Sequence, residues 1–189
     1  VVIGLWRRLP KLVARAMIPF FAAGNEKHGR KEVGIAKTLV FKLLVCVAVC
    51  LAVGGLGSLW TSAGVKSWYP SLAKPAFTPP GWLFGPVWTG LYVLMGVAAA
   101  LVWQKVGWNA ALGLFVAQLL LNALWSLLFF RLQSPLLGLI GIVALWAVLL
   151  AAVIAFARIE RVAGWLLVPY LLWVSFAAVL NAAIFWLNR

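Results

Sequence analysis

Residues 68–88 read WYPSLAKPAFTPPGWLFGPVW. Pro70, Pro75, Pro79, Pro80 and Pro86 each lack a backbone N–H and hold φ fixed, so neither a helix nor a strand ladder runs through this stretch. Its rings, Trp68, Tyr69, Phe77, Trp82, Phe84 and Trp88, are too apolar to stand in water. The stretch therefore predicts a stiff loop that folds down over an apolar end of the molecule as a lid. A membrane-interface belt accounts equally well for Trp82 and Phe84.

The flanks say what the lid covers. Apolar residues make up 66% of the chain and charged residues 10%, with a mean hydropathy of +1.07. A soluble domain is nearer half apolar and a quarter charged, so the solvent here is a bilayer. Five apolar runs are predicted at about 38–60, 83–104, 109–130, 135–157 and 163–187. Each approaches the ~20 residues a helix needs to cross the hydrocarbon, and all are too long and continuous for barrel strands. Short polar breaks at Lys105–Gly107, Arg131–Pro135 and Arg158–Arg161 make neighbouring helices antiparallel. The expectation is an all-α membrane protein: a five-transmembrane-helix bundle over 38–189, with the Pro/Trp-rich first loop as lid. The length leaves no room for a separate soluble domain.

Residues 1–37 form a basic extension. Arg7, Arg8, Lys11 and Arg15 share one side of a helical wheel over 5–20, which predicts an amphipathic helix on the membrane surface; an organelle-targeting segment is the rival. Residues 24–34 (GNEKHGRKEVG) read as a solvated linker. The first residue is Val1, so a missing or processed start is expected; no cleavable leader is, because the first apolar span lies too far in. The net charge of +13 points to topology and anionic lipid, not nucleic acid. Basic residues concentrate before the first span, with Lys105, Arg158 and Arg161 on the same side, which predicts the N-terminus inside and the C-terminus outside.

Within the spans, helical periodicity selects faces. Gln118, Asn122, Trp125 and Phe129 fall within a roughly 60° arc of the third span. An amide in hydrocarbon needs a partner, so this arc faces the bundle interior, either as interhelical glue or toward a ligand. Gly113 and Ala117 lie on a second stripe, suited to packing against another helix or a second subunit. Tyr170, Trp173, Ala177 and Asn181 share a face of the fifth span and read as a pocket wall, with Pro169 expected to kink the helix. Trp88, Tyr92 and Met95 share a face of the second span, with Gly96 and Ala99 for close packing. Cys46, Cys50, Gly54 and Gly57 form a small-residue stripe on the first, and the cysteines read as packing residues. The fourth span, with Trp146 as almost its only polar side chain, reads as a structural wall. At the rim, Lys66 and Lys74 either attract acidic groups of a ligand or are simply solvated. The lone His28 and the acids Glu26, Glu32 and Glu160 lie outside the spans, so no metal site, hydrolytic base or proton relay is expected.

The chain resembles the TspO/MBR family (tryptophan-rich sensory protein, translocator protein, peripheral-type benzodiazepine receptor). The family pattern W-Y-x-x-L-x-K-P-x-W-x-P-P-x-W-x-x-x-P-x-W is met by Trp68, Tyr69, Leu72, Lys74, Pro75, Pro79, Pro80, Trp82, Pro86 and Trp88. GLYVLMG around Tyr92, AQLLLNALW with Asn122 and Trp125, and VPYLLW with Tyr170 and Trp173 also match, so the resemblance spans about residues 40–188. It implies a five-helix bundle, often dimeric, in a bacterial envelope membrane or, as in animal relatives, the mitochondrial outer membrane. It also implies a pocket beneath the first loop for porphyrins, sterols and benzodiazepine-type ligands, with Trp88, Asn122, Trp173 and Ala177 at matching positions. Some bacterial relatives degrade porphyrin in light, which would give Trp88 and Trp173 a catalytic role. Phe77 departs from the family's usual tryptophan, and no basic residue follows Tyr170 closely, so the sterol motif is reduced to Leu180, Phe185 and Arg189. The expected ligand-facing set is Trp68, Tyr69, Pro75, Trp82, Trp88, Tyr92, Gln118, Asn122, Trp125, Tyr170, Trp173, Ala177 and Asn181. Three functions stay open: a receptor or carrier for tetrapyrrole-like ligands, a light- and oxygen-dependent porphyrin-degrading enzyme, or a partner-organising membrane protein.

Overall fold

The computed structural model describes residues 26–189, all in helices, turns and short connections. The expected surface helix over 5–20 lies outside the described residues. Two compact units are distinguished, Val1–Phe41 and Lys42–Arg189. In the first, the chain is helical from Glu26, within the stretch expected to be a linker, and Thr38 Oγ1 donates to the Gly34 carbonyl at 2.9 Å.

The helices are α1 (Glu26–Ser67), α2 (Phe84–Val106), α3 (Ala110–Ser126), α4 (Pro135–Ile159) and α5 (Arg161–Leu187). Among the described residues, these five are long and apolar enough to cross a membrane, α3 counted together with the π-helical turn Leu127–Arg131 that continues it. The protein is a multi-pass integral membrane protein.

Local chemistry sets the helix ends. Gly107 closes α2 at φ 70°, a left-handed conformation that costs glycine little. Asn109 caps α3, its side-chain oxygen accepting from the N–H groups of Ala111 (2.8 Å) and Leu112 (3.4 Å). Ser134 caps α4, where Pro135 occupies a position that needs no N–H donor. Glu160 caps α5 through Val162 N and meets Lys105 Nζ at 2.8 Å. The Lys105 hydrogen bond, aided by Val162 N–H, holds the Glu160 carboxyl below the usual carboxylate range against a smaller opposing effect of burial. Helix α5 continues past Pro169, which leaves it one backbone donor short at that turn.

The core of the second unit lies among α2, α4 and α5. Met95, Ala98, Leu149, Phe156, Leu167 and Tyr170 are fully buried, and Phe115 stacks on Phe156 at 5.7 Å. Small residues bring the backbones together, as lipid offers no hydrophobic drive for helix association. A Cβ on Gly164 would collide with Ala157, and one on Gly96 with the Val47 backbone of α1. The outward faces stay apolar, as lipid permits. Trp82 and Trp186 at the lid end, and Trp108 and Trp165 at the other, are all more than half exposed, the arrangement of an interfacial belt.

The connection from α1 to α2 forms the lid. It holds two 3-10 turns, Tyr69–Ser71 and Gly81–Leu83. The Lys74 ammonium donates to the carbonyls of Tyr69 (2.9 Å), Pro70 (3.1 Å) and Leu72 (2.9 Å), and lies 5.1 Å from the centre of the Tyr69 ring. Lys74 thus ties the lid's own backbone together while staying partly exposed. At its middle, the lid is fastened to the end of α5. Asn188 accepts from Ala73 N at 2.9 Å and donates to Ala73 O at 2.9 Å and Ile184 O at 2.8 Å. At its base, Trp68 and Tyr69 rest edge-on against Phe129 of the π turn, at 5.4 and 6.3 Å.

Candidate functional site

Beneath the lid is a cavity of about 660 Å³, lined by α1, α2, α3 with its π turn, α5 and the lid. Helix α4 contributes nothing to it, in keeping with its uniformly apolar sequence. One wall is aromatic: Trp88 and Phe84 from α2, with Trp125 and Phe129 from α3 and its π turn. Trp88 stacks on Tyr92 at 5.6 Å and 30°, and meets Tyr170 edge-on at 6.0 Å. Trp125 stacks on Phe129 at 5.7 Å and 18°. The facing wall is the small and hydroxylic side of α1, with Gly54, Gly55, Gly57, Ser58, Thr61 and Ser62. Along that helix the lining runs from Leu51 to Lys66, about 22 Å at 1.5 Å per residue.

A buried polar chain braces the inner end. Tyr92 Oη donates to Asn122 Oδ1 at 2.6 Å, and Asn122 Nδ2 donates to Tyr170 Oη at 2.9 Å. This links α2, α3 and α5 through one carboxamide. A second link forms one turn away, where Trp125 Nε1 donates to Asn181 Oδ1 at 3.2 Å and Asn181 Nδ2 donates to Pro135 O at 3.0 Å. Gln118 is fully buried; its Nε2 lies 3.9 Å from Met95 Sδ and its Oε1 has no hydrogen-bond partner among the described residues.

Of the ligand-facing set expected from the sequence, Tyr69, Trp88, Tyr92, Asn122, Trp125, Ala177 and Asn181 line the cavity. The others stand elsewhere. Gln118 and Tyr170 share helix faces with lining residues but are fully buried behind them. Trp173 packs against Phe84 at 5.9 Å and Phe176 at 5.8 Å, backing the wall. Trp68 anchors the lid on Phe129, and Pro75 accepts from Thr78 N and Oγ1 in a lid turn. Trp82 is 73% exposed. The α1 wall had no counterpart in the sequence reading, where Gly54 and Gly57 stood for close packing alone. They do pack closely: a Cβ on Gly54 would overlap the Tyr92 ring, and one on Gly57 would lie 3.4 Å from Ser126 Oγ. The signal was the run of glycines and hydroxyls from 54 to 62, in a span otherwise made of larger apolar side chains.

Gly113 and Ala117 lie away from the cavity. Gly113 is exposed with open space around it, and Val116, Leu120 and Leu124 nearby are also exposed. Among the described residues no three His, Cys, Asp or Glu side chains gather.

These features define a class: five-helix membrane proteins with an aromatic-walled cavity closed by a proline-stiffened first loop. The TspO/MBR family model matches residues 46–187, and the chain belongs to that family. It is 48% identical to the tryptophan-rich protein TspO of Chlorobaculum tepidum over 153 residues, covering 79% of this chain and 97% of that one. The TspO of Archaeoglobus fulgidus is 46% identical over 79% of this chain and 98% of its own length. The human translocator protein is 34% identical over 67% of this chain and 78% of its own.

Proposed function

We propose that this protein is a membrane receptor or carrier that holds a flat, largely apolar ligand of the tetrapyrrole class between α1 and the α2–α3–α5 face, and that it works as a homodimer. The observation that carries the reading is the opposition of two unlike walls. Trp88, already stacked on Tyr92, offers a ring face, while the α1 side of the cavity is low in bulk, with open space at Gly55 and with Gly54 and Gly57 set close against Tyr92 and Ser126. That leaves a slot suited to a planar guest. The volume falls within the ~300–1,000 Å³ typical of small-molecule sites. Each aromatic contact with a flat ligand contributes about 0.5–1.5 kcal/mol beyond burial. The lid, held by Lys74 and Asn188, has little freedom left to lose on binding, which favours capture. Similar mammalian chains carry the name translocator protein, which favours a carrier over a purely structural role.

The test is a titration of purified protein with a porphyrin, read by quenching of tryptophan fluorescence. Trp88→Ala weakens binding about tenfold, or about 1.4 kcal/mol. Equal affinity in the variant and the parent removes Trp88 from the site and takes this reading with it.

A further inference from the structure

The cavity has a charge asymmetry that its aromatic wall does not explain. Among the described residues lining it, Lys66 is the only ionic one, and none is an acid. Glu160 is committed to Lys105 and to capping α5, whose opposite end carries the lid contact through Asn188. Across the 27 residues of α5, these two sites stand about 40 Å apart. Lys66 therefore stands at the lid end of a long apolar slot with no carboxylate of the cavity wall to neutralise it. Of the other cations at this end, Lys74 is held by three lid carbonyls, Arg189 lies over the Trp186 ring at 3.7 Å, and Arg131, exposed at the end of the π turn, is not among the lining residues.

The hydrogen-bonding groups of the cavity are also biased. Ser58, Thr61, Ser62 and Thr89 donate their hydroxyl hydrogens to the carbonyls of Gly55, Gly57, Leu59 and Gly85, at 2.6, 3.0, 3.0 and 2.9 Å. Deeper in, Tyr92, Asn122, Trp125 and Asn181 direct their donors to one another, to Tyr170 and to the Pro135 carbonyl. Near the lid, Lys66 keeps an ammonium and Tyr69 a phenol. The Tyr69 phenol is a donor at neutral pH, and burial pushes it further up from its ordinary value. A cationic and a phenolic donor thus stand at the mouth, while along the shaft the donors are satisfied by the protein except for the Ser126 hydroxyl.

We infer that Lys66 selects ligands bearing a carboxylate on one edge, the acid held at the lid by the Lys66 ammonium and the apolar body lying down the shaft toward Leu51 and Tyr92. This rests on the tetrapyrrole reading above and deepens it, because it specifies an acidic side arm and fixes which edge enters last. Lys66 is exposed at the mouth, where solvent screens its charge, but a charge-assisted hydrogen bond is still stronger than a neutral one, so the discrimination is measurable.

The experiment compares a dicarboxylic porphyrin with its dimethyl ester, both titrated into the full chain in nanodiscs of neutral lipid. The parent protein binds the free acid about tenfold more tightly than the ester. Lys66→Met brings the acid down to the level of the ester and leaves the ester unchanged, which also reports that the variant is folded; Lys66→Arg keeps the preference. The inference is overturned if Lys66→Met retains the preference for the acid, if it weakens acid and ester alike, or if the parent binds both equally. In that last case the tetrapyrrole reading survives. Should the parent bind neither compound, both fall.

Discussion

At the scale of single residues, Asn122 carries the most. Its one carboxamide accepts from Tyr92 and donates to Tyr170, so it joins three helices at the inner end of the cavity. Tyr170 is fully buried and Asn122 is 2% exposed, so little solvent is at hand to replace a lost partner. Asn122→Leu keeps most of the volume but leaves both phenols unpaired. Each unpaired buried group costs about 1–3 kcal/mol. The expected outcome is a clear fall in Tm of the detergent-solubilised protein, with Tyr92→Phe in the same background restoring part of it. An unchanged Tm in Asn122→Leu would show that the chain holds nothing together. Helical spacing predicted that Asn122, Gln118, Tyr170 and Asn181 face inward. It could not separate the lining residues from those behind them, because the period of a helix gives direction around the axis and not depth.

At the scale of elements, the lid caps the cavity. Its prolines were legible as a stiff cap, but the two clasps that hold it were not. Lys74 folds back on carbonyls within five residues, and Asn188 reaches Ala73 from the far end of the chain. Neither follows from composition, since one is local backbone geometry and the other a contact of very long sequence separation. Asn188→Ala removes both hydrogen bonds to Ala73. At about 0.5–1.5 kcal/mol for each hydrogen bond, the lid should open more often by a factor of several. Hydrogen exchange at Ala73 should accelerate well beyond that of α2, and a bound porphyrin should leave faster with little change in its rate of entry. Exchange at Ala73 that stays at the parent rate would mean that Asn188 does not hold the lid. Helix α1 shows the opposite limit of sequence reading. Its apolar span was plain, but its helical continuation through 26–34 lay in a polar, glycine-containing stretch expected to be a linker, and of its cavity face only Gly54 and Gly57 were singled out, as packing residues.

At the scale of the whole molecule, the five spans were legible because bilayer thickness imposes a length that hydropathy reveals directly. The outer face of α3 follows the same logic. Gly113, Val116, Leu120 and Leu124 are exposed on it, a small-to-apolar surface that a second copy could approach closely. A single cysteine at Leu120, with Cys46 and Cys50 replaced by alanine, should cross-link into dimers in native membranes, whereas one at Ile140 on α4 should not. Equal cross-linking at both positions would argue against a dimer through α3. The central claim, however, concerns the slot between α1 and the aromatic wall. An experimental structure of the protein saturated with a dicarboxylic porphyrin tests it most directly. The account predicts ring density in van der Waals contact with Trp88 and Ala177 on one side and with residues 54–62 of α1 on the other. Porphyrin found only on the outer surface of the bundle, with that slot collapsed, would contradict it.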